Sequence, residues 1–198
     1  MESIATITQH HRDLCVRWHA QPVDNPYDGL LGLVCQQFSF NFLLWHEEDI
    51  ARSRDVTAER IAEVKRAIDG YNQKRNDWIE KIDDWLTEEL ARRGIAPQAD
   101  ARQNTETAGS SIDRLSILAL RIYHLQEQRD RTDATPQHRE NVTAKLAIAL
   151  AQMDDLSRST QELLDDIFSG RKRHKTYRQL KMYNDPAMNP YLYKAQKQ

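Results

Sequence analysis

Four carboxylates, Glu48, Asp49, Glu80 and Asp83, stand among the amides Asn41, Asn72 and Asn76 and the guanidinium groups of Arg52, Arg114 and Arg121. Oxygen donors of this kind suit Mg2+, which keeps several waters and is held by one or two carboxylates together with substrate phosphates. Arginine forks suit the phosphates themselves. The chemistry such a set would perform is binding or hydrolysis of a small anionic ligand, a nucleotide or sugar nucleotide being the natural class. In that reading Glu48, Asp49 and His124 are the catalytic candidates, and Glu48, Asp49, Glu80 and Asp83 the metal ligands. Asn41, Trp45, Arg52, Asn72, Asn76, Arg114 and Arg121 are the ligand contacts. His46 and His124 are of a residue type suited to general acid or base work, although a lone histidine beside an apolar face is more often structural. No zinc spacing, phosphate-cradling glycine loop or nucleophile elbow is present.

These groups have to be positioned by helices. Apolar residues recur at spacings of three and four and no stretch alternates with period two, which predicts an all-α protein, a bundle of about five helices. The first helix runs from Ile4 to Ala20 and stops before the turn-rich "QPVDNPYDG". The second runs from near Asp28 to about Ser53, and the third from a Thr57 cap to Gly94. Residues 95–110 read as a loop, and Ser110 or Ser111 opens a fourth helix that is apolar on nearly every side and so belongs at the centre. Pro136 lies in the first turn of a fifth helix ending at Gly170.

At 100° per residue the polar groups fall in the wrong places for a solvated face. With Phe38 as the centre of the second helix, Asp49 lies at about 20° and Asn41 at about −60°. On the third helix Asn72 and Arg75 share the face of Ile68. On the fourth, with Leu118 at zero, Arg114, Arg121, Gln128 and His124 form a strip from about −40° to −120°. The expectation is that acids and amides of the second and third helices meet cations of the fourth, Asp49 with Arg121 or Arg114. Buried charges must be paired, hydrated or bound to a ligand. Two readings follow, a buried network that fixes helix register and a wet cleft that binds a ligand.

The totals narrow the class. A chain of 198 residues with 39% hydrophobic and 29% charged residues buries a core of its own and is ordered. Its apolar runs are too short for membrane insertion. Cys15 and Cys35 are too few for a disulfide framework, and Met1-Glu2-Ser3 opens no signal peptide, so the expected setting is a reducing cytoplasm. From Arg171 onward eight Lys/Arg face one acid, Asp185. That makes the segment +7 and, with a whole-chain charge of −2, leaves −9 for the rest. The expected organisation is a bundle over 1–170 and a basic, aromatic tail over 171–198 packed on it, with Met182, Tyr183, Tyr191 and Tyr193 in a groove. Docking on the acidic body is favoured over nucleic-acid binding for this charge run. Excess apolar surface on the central helix suggests a homodimer.

The elements "NFLLWHEEDIAR", "IDGYNQKRNDWIEKID", "DRLSILALRIYHL" and "QLKMYNDPAMNPYLY", in this order, resemble those of an uncharacterised bacterial family known only as a domain of unknown function. The resemblance covers nearly all the chain beyond the first helix. It implies an all-helical cytoplasmic protein and a link to cell-envelope polysaccharide synthesis, and it carries no activity. A non-enzymatic scaffold or interaction protein is the alternative to the ligand-binding reading. The spacing of Glu80 and Asp83 is also similar to the acid-rich pattern of all-helical nucleotide pyrophosphohydrolases, although "HEED" crowds the earlier acids where those enzymes space them.

Overall fold

The computed structural model describes residues 2–182 and 185–195. Five long helices carry the molecule: α1 Ile4–Ala20, α2 Gly29–Arg52, α3 Ala58–Arg92, α4 Ala108–Asp130 and α5 Pro136–Phe168. A short α6, Pro190–Ala195, lies near the C-terminus. Hydroxyl caps set four of the starts. Ser3, Thr57, Thr107 and Thr135 each accept from the backbone N–H three residues on, satisfying donors that the first turn leaves orphaned. Thr107 opens α4 earlier than Ser110 or Ser111 would, because Ser110 supplies the N–H that the cap receives, at 3.1 Å.

α2 and α3 pack antiparallel, as Phe40 against Tyr71 and Glu47 against Arg60 show. α4 and α5 form a second pair, and α4 touches α1, α2, α3 and α5. Phe38, Val34, Leu14, Ile7, Ile82, Leu86, Ile112, Leu115, Leu120 and Met153 are buried in one continuous core. Each fully buried side chain of this size contributes about 1.5–3 kcal/mol. Ser111 and Ser116 are buried on α4 beside the apolar residues, as its all-round apolar character requires. Small size matters at one crossing: a Cβ on Gly109 would lie 2.6 Å from the Ile79 carbonyl oxygen, so glycine lets α4 approach the backbone of α3.

The connection over 95–107 contributes one strand of a short two-stranded sheet. β1, Arg102–Gln103, pairs in parallel with β2, Lys172–Arg173. Two residues are too few to show an alternating pattern, which is why no strand is legible there. Gly170 makes the junction: its φ is +75°, and its carbonyl accepts from the Gln98 N–H at 2.9 Å. A side chain there would be strained and would meet Ala96.

Beyond β2 the chain follows α3 through polar groups. His174 bonds the Asp83 carbonyl at 2.9 Å, Arg178 pairs with Asp84 at 2.7 Å and Glu80 at 3.1 Å, and the Gln179 N–H donates to Glu80 at 2.7 Å. The large apolar groups do not enter a groove: Leu180 is 86% and Tyr191 88% exposed, and Met182, Met188 and Tyr193 also face outward. Tyr183 lies outside the described residues. Among the described residues no helix is long and apolar enough to cross a membrane, and both cysteines are buried and free.

Candidate functional site

Asp113 on α4 is the most heavily bonded carboxylate of the interior. Its Oδ1 accepts from Gln37 Nε2 at 2.6 Å, Asn41 Nδ2 at 2.9 Å and Arg75 Nε at 2.7 Å, and its Oδ2 accepts from a second guanidinium nitrogen of Arg75. Asn41 also donates to Ser116 Oγ at 2.7 Å, and Ser116 donates to the Asp113 carbonyl at 2.7 Å. The side chain of Asp113 is 5% exposed and that of Arg75 24%. The hydrogen bonding of Arg75 to the Asp113 carboxylate is the main cause raising the Arg75 pKa above its ordinary value. A carboxylate with this many donors is fully satisfied inside the core. Removing one partner from such a pair costs roughly 3–5 kcal/mol. The node therefore ties α2, α3 and α4 in register.

The meeting of three helices at polar groups is as expected, but the charges are reversed. The anion comes from α4 and the cation from α3. The pairing of Asp49 with Arg121 or Arg114 does not occur. Asp49 is exposed because α1 ends at Ala20, where His19 meets α2 at Phe42 and His46, so the last turn of α2 runs past this neighbour. Glu48 accepts from Arg52 in the same turn at 2.7 Å.

The metal set is not assembled either. Glu47 next to Glu48 reaches Arg60, which precedes Glu80 on α3 by twenty residues, about 30 Å of helix. Glu80 is engaged by Arg178 and Gln179. Asp83 is buried and accepts from the Gly109 N–H at 2.8 Å. Burial holds its carboxyl above the usual carboxylate range, opposed by hydrogen bonds from Thr107 and Gly109. Asn76 is buried on α3, and the Asn72 carbonyl accepts from Lys181 at 3.4 Å. Trp45 stacks on His124 with ring centroids 5.0 Å apart.

Arg114 and Arg121 face elsewhere. They line a groove of about 810 Å³ between α4, α5 and the segment before α4, together with Ser111, Gln152, Ser159 and Lys172. This size is in the range of small-molecule sites. Arg114 holds Glu106 with both oxygens at 2.8 Å, and Lys172 reaches Asp166 at 3.4 Å. Arg121 is exposed and makes no ion pair among the described residues. Of the polar strip expected on the fourth helix, Arg114 and Arg121 border this groove, whereas His124 packs against Trp45 and His46 of α2. Arg75 shared the Ile68 face in the helical arithmetic. Asp113 had no such signal, because at about −140° from Leu118 it falls on what would be the back of an ordinary amphipathic helix. A central helix has no back.

No curated protein and no solved structure matches the chain. A family model described as "Protein of unknown function (DUF4254)" matches residues 31–176, from the first turn of α2 to just beyond β2. With the greater part of its helices inside that match, the chain belongs to this family of proteins of unknown function.

Proposed function

We propose that the protein binds a small phosphorylated ligand in the groove between α4 and α5, with Arg121 as the principal anion contact and Arg114 and Lys172 beside it. The observation that carries this reading is the placement of three cations with hydroxyls and amides around one groove of ligand size. Arginine forks take phosphate oxygens in pairs, and Arg121 is not occupied by a carboxylate among the described residues. Asn104, Thr105 and Ser159 supply neutral hydrogen-bonding groups for a sugar or base. The four acids are dispersed, so the reading is one of binding, without a Mg2+-dependent hydrolytic step.

A thermal-shift panel of nucleoside diphosphates, nucleoside diphosphate sugars and inorganic phosphate tests it. A ligand at 100 times its Kd stabilises by about 2.7 kcal/mol, which raises the midpoint of a protein this size by roughly 5–10 °C. Arg121→Ala should abolish the rise while leaving the unliganded midpoint within a degree or two. No shift with any phosphorylated ligand sinks the reading.

A second reading, a scaffold that recruits a partner through its tail, is favoured by the outward-facing Leu180, Met182, Met188 and Tyr191. Its test belongs to the tail itself and is given below.

A further inference from the structure

We propose that His19, His46 and His124 form a binding site for a divalent transition metal of the zinc class, separate from the groove. The three residues come from α1, α2 and α4, and their ligand atoms all lie within 4.8 Å of one another. Ring centroids are 5.1 Å apart for His19 and His46, 5.1 Å for His19 and His124, and 5.8 Å for His46 and His124.

The nitrogens facing away from the cluster are already assigned. His19 Nδ1 lies 2.6 Å from the Cys15 carbonyl, which makes it the N–H donor and leaves Nε2 with the lone pair. His124 Nδ1 lies 2.7 Å from Glu127 Oε2, with the same consequence. A carbonyl or carboxylate on the far nitrogen is the usual support of a metal-ligating histidine, since it sets the tautomer and raises the basicity of the coordinating nitrogen. The two Nε2 atoms so oriented are sealed from solvent and have no hydrogen-bond partner among the described residues. Buried polar atoms are normally satisfied. A metal ion satisfies both at once.

The walls are aromatic. Tyr123 stacks on His19 at 4.1 Å, Trp45 on His124 at 5.0 Å, and Phe42 meets His46 edge-on at 4.5 Å. These contacts fix the ring planes and keep water from competing. Tetrahedral zinc with Zn–N of about 2.0–2.1 Å places ligand nitrogens about 3.3 Å apart, so capture draws the rings together by at most about 1.5 Å. Three imidazoles leave a fourth position for water or an anion, and imidazole sets suit Zn2+, Ni2+ and Cu2+ over Mg2+. Cys15 takes no part as a thiolate, because burial pushes its thiol up to about 12.

The test uses the untagged full chain, freed of metal by a chelator and titrated with Zn2+ against a chromophoric competitor. One Zn2+ per chain is expected, with the visible absorption of tetrahedral Co2+ when cobalt replaces it. Glu127→Gln should weaken binding by about tenfold and His46→Ala by more. His46 is the variant of choice because it is only half-buried, and circular dichroism of the metal-free variant verifies its fold. Glu127 is exposed, so its substitution keeps the test informative if His46→Ala does not fold. Absence of stoichiometric zinc, or zinc held as tightly by these variants as by the wild type, overturns the proposal.

Discussion

His11 is fully buried against Phe38, with ring centroids 4.9 Å apart, and both its nitrogens lack a hydrogen-bond partner among the described residues. Burial is the main cause that pushes its pKa down to about 3, with His10 adding to the effect. Above the ordinary value of 6.5 the ring is neutral in both folded and unfolded chains, and stability does not depend on it. Below 6.5 the unfolded chain takes up a proton that the folded chain refuses, so stability falls with pH by about 1.4 kcal/mol per unit until the folded ring titrates. Urea unfolding at pH 7 and pH 5 should show the loss, and His11→Leu should remove close to one proton's worth of the slope. An unchanged slope in the variant would show that other groups control the acid limb. Asp49 and Asp113 make the complementary point. Both are aspartates on helices near apolar residues, yet one is exposed in a last turn that has outrun its neighbour and the other holds three helices together.

At the scale of elements the helices are stable where they pack, and the tail is held differently. Its described contacts with α3 are ion pairs and hydrogen bonds, most of them at exposed positions, with the Arg178 side chain 53% exposed in its pairs with Asp84 and Glu80. Exposed pairs contribute about 0–1 kcal/mol each. Truncation after Thr176, which keeps β2 and its junction with Gly170, should therefore lower the thermal midpoint by less than about 6 °C. A larger loss would make the tail a part of the core. If the scaffold reading holds, the same truncation abolishes capture of the partner while the bundle stays folded. The caps and helix ends follow from local chemistry, which is why Thr57, Pro136 and Gly170 were readable from their neighbours alone. The pairing of β1 with β2 joins residues about seventy apart and leaves no local trace.

On the scale of the molecule, α1 lies before the segment that the family model covers, yet it supplies Ile4, Ile7, Leu14 and Trp18 to the common core. Burial of four such side chains is worth on the order of 6–12 kcal/mol, against a net stability of about 5–15 kcal/mol for a typical domain. A chain beginning at Leu31 should therefore show no cooperative thermal transition by calorimetry, and a sharp transition near that of the full chain would refute this. α1 also carries His19, so such a chain would lose the metal site along with the fold.

The amino-acid sequence by itself determined the all-helical class, the five long helices, most of their ends and the presence of polar groups inside the bundle. These depend on periodicity, caps and composition, all of which act over a few residues. Only the tertiary structure decided which polar groups meet. A helical angle states which residues share a face but not which neighbour covers it. On α4, covered on all but one strip, that difference turned Arg114 and Arg121 toward a groove and buried Asp113 against Arg75. The gathering of His19, His46 and His124 depends on the same packing of three separate helices, and each looks like an isolated histidine until those helices are in place.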